Sequence, residues 1–141
     1  MKQRLTNDNL SRALHQTLYQ RMVSFCQQYT PEFPAEPVVE SWLSRLYKGD
    51  DNLHILASFD SSWQLVGHAV IDVQDHYGYK VVYCHQAHAD KGYQSTLEEG
   101  IEYVEKLRSY VGAYCSCFSV TKHIKGLEKK YGYQVVRTMM M

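Results

Sequence analysis

Residues 80–98, KVVYCHQAHADKGYQSTLE, lead from an apolar stretch through a glycine into the start of a long amphipathic one. Lys80–His85 shows little polar alternation, which suits a strand covered on both faces at the centre of a sheet. Lys91 and Gly92 then turn the chain, and Ser95-Thr96-Leu97-Glu98 opens a helix. A strand that leaves through a glycine turn into a helix start aims several backbone N–H groups at one point, which is what a bound phosphate needs. The same residues also describe an ordinary capped helix, since Ser95 with Glu98 and Thr96 with Glu99 have capping-box spacing.

Downstream, Leu97, Ile101, Val104, Leu107 and Val111 form one apolar stripe and predict a helix over 96–111. AYCSCFSV (113–120) reads as a strand, TKHIKGLEKKY (121–131) as a short helix and YQVVRTMMM (133–141) as a closing strand. Upstream, LHILASF (53–59) and WQLVGHAVIDV (63–73) flank the turn Asp60-Ser61-Ser62, an antiparallel hairpin. Gly67 within the second arm marks a bulge or a close backbone approach. MKQRL makes a short first strand, and Leu10, Leu14, Leu18, Met22 and Phe25 predict a helix over 7–28 capped by Asn7 or Asp8. All three prolines fall in TPEFPAEP, and a second helix follows over 37–47 with Val39, Trp42, Leu43 and Leu46 inward. Alternation of a hairpin with strand–helix–strand crossovers predicts a single α/β domain over 1–141, with a mixed sheet and helices on both faces.

Fifteen basic residues balance fifteen acidic ones, so no global field favours nucleic acid or an anionic membrane. No apolar stretch is long enough to cross a bilayer, and MKQRLTNDN resembles neither a signal nor a transit peptide, so a cytoplasmic protein is expected. Cys26, Cys84, Cys115 and Cys117 lack the spacing of a disulfide framework and read as reduced thiols. Twelve tyrosines suit both β-structure and a protein interface, and Tyr77 and Tyr79 by the hairpin turn are candidate partner contacts.

The order of elements resembles the GNAT family of acetyl-coenzyme A-dependent N-acetyltransferases over nearly the whole chain. QRLTNDNL is similar to the family's first strand and helix entry, QLVGHAVI to its hairpin arm, and LEKKYGYQVV to its ending, with Gly132 and Tyr133 in the Gly-Phe places. The resemblance implies a sheet that splays open between Lys80–His85 and AYCSCFSV, with acetyl-coenzyme A in the splay. Its diphosphate would rest on Lys91, Gly92, Tyr93, Gln94, Ser95 and Thr96, and an amine would attack the thioester with His85 as base, through a water. Two departures weaken that expectation. Of the family's Gln/Arg-x-x-Gly-x-Gly/Ala loop, only Gly92 fits in ADKGYQ, and Glu128 stands where many members place an acidic tyrosine. The chain therefore reads as an acetyltransferase-like protein with reduced activity. The alternative is a non-catalytic GNAT-fold protein serving a partner in a larger assembly, such as a phage virion, since the eroded loop and lysine-rich last helix loosely resemble phage-encoded members.

His85 also has an ordinary reading as a hydrogen-bonded histidine at a strand end. Cys84, His85, His88, Cys115 and Cys117 include no Cys-x-x-Cys pair, and residues 84 and 85 of a strand face opposite ways, so no metal is expected. Lys122, Lys125, Lys129 and Lys130 give the last helix a basic side that solvent or an acidic partner satisfies equally.

Overall fold

The computed structural model describes residues 2–119 together with Gly132 and Tyr133. Along them run β1 (Lys2–Arg4), α1 (Arg12–Tyr29), α2 (Ala35–Tyr47), β2 (Leu53–Phe59), β3 (Leu65–His76), β4 (Tyr79–Ala89), α3 (Ser95–Val111) and β5 (Cys115–Phe118). The strands lie in the sheet in chain order, antiparallel from β1 to β4, with β5 parallel to β4. A parallel neighbour needs a crossover, and α3 supplies it. The expected last helix and closing strand lie outside the described residues.

Apolar side chains leave the sheet on both sides, which is why helices cover both. Leu18, Met22 and Cys26 of α1 and Val39, Trp42, Leu43 and Leu46 of α2 close over Leu53, Ile55, Ala57 and Val70. On the other face Val104 of α3 meets Leu56, Ala69, Ile71, Val82 and Cys84, with Leu107 and Val111 at its edge. The mixed sheet with helices on both faces is thus the architecture read from the sequence.

Helix α1 starts later than its apolar spacing suggests. Ser11 is the N-cap, its Oγ accepting from the Leu14 N–H at 3.1 Å. Asn9 instead ties the preceding turn, accepting from the Thr6 N–H and donating to the Arg4 carbonyl, so Asn7 and Asp8 cap nothing. Asx side chains bonded to nearby backbone compete with helix in this way. Helix α2 begins at Ala35, two residues before the expected Pro37, because a proline is tolerated within a first turn whose N–H groups have no intrahelical partner. Trp63 is not in a strand: at φ 61° it completes the β2–β3 turn, 60% exposed, with its ring 5.7 Å from that of Phe59.

Two local features shape β4. Tyr77 and Gly78 both have positive φ, a two-residue hairpin whose twist matches its strands. Further along, Val70 pairs with Gln86 but Ile71 pairs with Cys84, so His85 is an extra residue, a β-bulge. Near the same end Gly67 is where the strands come closest, since a Cβ there would meet the His88 carbonyl oxygen at 2.9 Å. Gly67→Ala is therefore expected to cost about 1–3 kcal/mol in urea denaturation, as overpacking does. Gly100→Ala, whose Cβ would meet only the flexible Lys2 ammonium at 3.6 Å, is expected to gain up to about 1 kcal/mol from helix propensity. Equal effects of the two would contradict the close approach.

Candidate active site

Among the described residues, pairing of β4 with β5 stops at the bulge. Pairing of β4 with β5 runs from Val81–Cys115 to Cys84–Phe118, and the Ser119 N–H adds one bond to the Cys84 carbonyl. From His85 to Ala89, β4 has no partner on that side among the described residues, while β3 follows it to the end. The Asp90 N–H donates to the Val66 carbonyl of β3. Strand alternation then turns the N–H and C=O groups of Ala87 and Ala89 toward the opening. An unpaired edge of this kind offers a row of donors and acceptors to an extended guest.

Beyond Ala89 the chain turns through Lys91 and Gly92, the latter at φ 91°, and enters α3. Neither capping box forms. Gln94 is the N-cap without a side-chain bond to the helix, Ser95 is already helical, and the Thr96 Oγ donates back to the Tyr93 carbonyl. Successive short turns consume several amides: Tyr93 donates to Asp90, Thr96 to Tyr93 and Leu97 to Gln94. The Gln94 Oε1 accepts from the Gly92 N–H at 3.1 Å. Of the six loop residues singled out in the sequence, Lys91, Gln94 and Ser95 keep N–H groups with no partner among the described residues. Space above Gly92 is open. A cation that the sequence does not advertise joins them, because the Lys2 Nζ donates to the Thr96 carbonyl at 2.9 Å. Burial holds the Lys2 ammonium below its ordinary pKa, with Glu99 pulling the other way. Between this loop, α3 and Phe118 lies a cavity of about 20 Å³, room for one water.

His85 sits on the α2 side, its ring 5.1 Å from that of Trp42 and 4.8 Å from that of Tyr83. Its Nε2 is 3.5 Å from the Asp72 carboxylate, which Arg45 holds with two bonds of 2.9 and 2.8 Å. Burial opposes the charge of Asp72, but hydrogen bonds from His85, Arg45 and Gln74 outweigh it and hold the carboxyl well below the usual carboxylate range. The expected neighbour Cys84 points the other way, into the α3 core, where burial pushes its thiol up to about 12 and removes it as a nucleophile.

A third group has no counterpart in the sequence pattern. Between α1 and the end of β4 opens a pocket of about 270 Å³ lined by Thr17, Gln20, Ser24 and Gln28 on one side and by Phe25, His88, Arg21 and Asp90 on the other. Arg21 forks onto the two Asp90 oxygens at 2.8 and 3.3 Å, and the same carboxylate lies 3.7 Å from the His88 Nε2. Beneath them His68 is buried, bonded through Nε2 to the Gln86 Oε1 at 2.8 Å, while its Nδ1 has no partner. The Gln86 amide in turn donates to the Met22 carbonyl and the Cys26 sulfur. No sequence signal marks this cluster, since α1 and β4 meet only in the fold. The described residues contain no group of three or more His, Cys, Asp or Glu able to hold a metal ion, and no helix among them is long and apolar enough to cross a membrane.

With this geometry in hand, the likeness to known structures is informative. No protein-family model matches the chain, and none of the curated proteins matches it. Solved structures do. A probable acetyltransferase superposes with a TM-score of 0.70 at 10% identity, covering 100% of this chain and 94% of the other. An aminoglycoside acetyltransferase from an uncultured soil metagenomic sample gives 0.69 at 16% identity, covering 100% and 96%. An acetyltransferase of Trypanosoma brucei gives 0.65 at 13%, covering 100% and 96%. At such identities the likeness defines the fold, and the fold is that of the GNAT acetyltransferases.

The buried histidines near the site carry a pH signature. Burial, more than any other cause, lowers both His54, whose ring bonds the Tyr103 hydroxyl, and His68 to about 4. An unfolded histidine titrates near 6.5, so between about 6.5 and 4 the unfolded chain binds protons that the folded chain does not. Stability in urea is therefore expected to be fully present above pH about 6.5 and to fall as the pH is lowered toward 4. His68→Gln should flatten that fall, and an unchanged slope would contradict a neutral buried imidazole.

Proposed function

We propose that the chain is an acetyl-coenzyme A-dependent N-acyltransferase that moves an acetyl group to an amine. One observation carries this reading: β4 continues past its last bond to β5 with no partner on that side among the described residues, and delivers the chain directly into the Lys91–Thr96 turn. In that arrangement the backbone groups of Ala87 and Ala89 would hold the cofactor's extended arm. The N–H groups of Gln94 and Ser95, with Lys2 and Lys91 as cations, would hold its diphosphate. The cofactor brings the activated acetyl group as a thioester. The chain positions it against the amine, and positioning alone is worth several powers of ten in rate.

A second reading has its own support. Tyr77 is fully exposed, Tyr79 and Tyr114 are largely so with rings 5.4 Å apart, and Tyr110 stands out from the end of α3. Such a group suits a protein partner, as in a GNAT-fold protein that serves an assembly, a phage particle among the candidates, without transferring acetyl groups.

Calorimetry with acetyl-coenzyme A separates the two. Binding is expected for the parent chain and loss of binding for Gly92→Asp, which puts a negative side chain into the open space over a left-handed residue. Gln94→Ala is expected to tighten binding about two- to tenfold, the worth of one net hydrogen bond, because the Gly92 N–H no longer has to be vacated. Absence of heat at millimolar acetyl-coenzyme A would remove the transferase reading and leave the assembly role.

A further inference from the structure

The residue expected to act as base, His85, lines neither the cavity beside α3 nor the pocket beneath α1. It packs against Trp42 and Tyr83 and faces the Asp72–Arg45 pair. His88, three residues on, lines both. It stands between Ala87 and Ala89, whose backbone groups face the opening of the sheet, and its side chain is 37% exposed. Asp90 lies 3.7 Å from its Nε2, long for a direct hydrogen bond but placed to face an imidazolium as it forms. Arg21 fixes that carboxylate in place through two bonds.

From this placement we infer that His88 is the general base of the transfer, oriented by Asp90, and that the pocket beneath α1 receives a small polar amine. The inference rests on the transferase reading. Thr17, Gln20, Ser24 and Gln28 lie on one side of α1 and line the pocket with hydroxyl and amide groups. They can bond a hydroxylated or polyamine acceptor and offer little to an apolar one. Phe25, its ring 6.3 Å from that of His88, closes the inner wall. At about 270 Å³ the pocket suits a small molecule.

The step balances without a further reactant. An acceptor enters as an ammonium ion and gives one proton to the His88 imidazole, which frees the nitrogen lone pair. Nitrogen attacks the thioester carbonyl carbon, the new C–N bond forms, and the C–S bond breaks. Coenzyme A leaves as a thiolate, and the second proton lost by nitrogen neutralises it to the thiol. The imidazolium returns its proton to solvent. General-base assistance of this kind is worth about 10²–10⁴ in rate.

Among the described residues, Asp90 from the loop, Arg21 from α1 and His68 from β3 are charged and titratable groups that face His88. The test uses the whole chain saturated with acetyl-coenzyme A and three probe amines: glucosamine, spermidine and ethanolamine. Histidine ring signals are followed by NMR as each amine is added, and thiol release is followed against pH. At least one probe is expected to move the His88 signals and to be acetylated, with an acidic limb in kcat/KM. His88→Gln should slow release about a hundredfold, abolish that limb and regain rate with added imidazole, while still binding acetyl-coenzyme A. Asp90→Asn, which leaves the imidazole in place, should move the limb to lower pH, a change that a merely structural carboxylate would not produce. The inference is overturned if acetyl-coenzyme A binds but no probe perturbs His88. It is equally overturned if the acidic limb survives in His88→Gln and disappears in His85→Gln. Failure of the parent chain to bind acetyl-coenzyme A at all would instead overturn the transferase reading.

Discussion

Everything about the site depends on β4 having one residue more than β3 can match. The extra residue, His85, places two consecutive side chains on the same face: His85 under Trp42 of α2, and Gln86 under Met22 and Cys26 of α1. A regular strand would have sent one of them to the α3 face. A buried glutamine is costly unless it is bonded, and Gln86 is bonded at both ends, its oxygen to His68 and its amide to α1. Those bonds anchor α1 and β3 to β4 just where β5 pairing ends among the described residues. The bulge thus falls where the pairing of β4 with β5 stops among the described residues, and bulges bend the strand that carries them.

The loop that follows shows how a phosphate-like geometry can exist in a closed form. Gly92, Tyr93 and Thr96 spend their N–H groups within the loop, and Gln94 supplies the acceptor for the first of them. A side-chain amide that accepts one exposed hydrogen bond contributes only about 0.5–1.5 kcal/mol net. An anion that displaced it would gain charge-assisted bonds roughly twice as strong. The Gln94 side chain would therefore be only a modest obstacle to an anion at this loop. Lys2 matters more than its place at the start of the chain suggests. Reaching from β1 to the first turn of α3, it brings positive charge to a helix start that Glu98 and Glu99 make acidic.

Elements with strong periodicity are legible in the amino-acid sequence itself. The α3 stripe, the α2 core residues and the hairpin around Asp60 all stand where their patterns put them, because burial of a regular face leaves a regular trace. Gly67 is legible too, as a close approach. What the pattern does not reveal is the competition between local bonds of similar strength. Asn9 prefers the backbone of its own turn to a helix cap, and Ser95 and Thr96 yield the capping role to a run of tight turns. The turn at Gly92 can be read from its loop, whereas the Arg21–Asp90–His88 group cannot. Its members are far apart in the chain and join only because α1 crosses the end of β4, so no spacing rule connects them.

The two readings of this chain occupy opposite ends of one strand. Tyr79 begins β4 beside Tyr77 and Tyr114, and Ala89 ends it beside the loop and the α1 pocket. Cross-strand bonds from Val81–Cys115 to Cys84–Phe118 stand between them and keep that half of the sheet closed. A partner covering the tyrosines would bury none of the groups assigned to the acetyl donor or to the amine. Docking and transfer therefore do not compete for surface, and a chain that had lost one could keep the other. Conversely, a partner that loosened the short β5 would lengthen the open edge of β4, so what binds at the tyrosine end bears on what fits at the other.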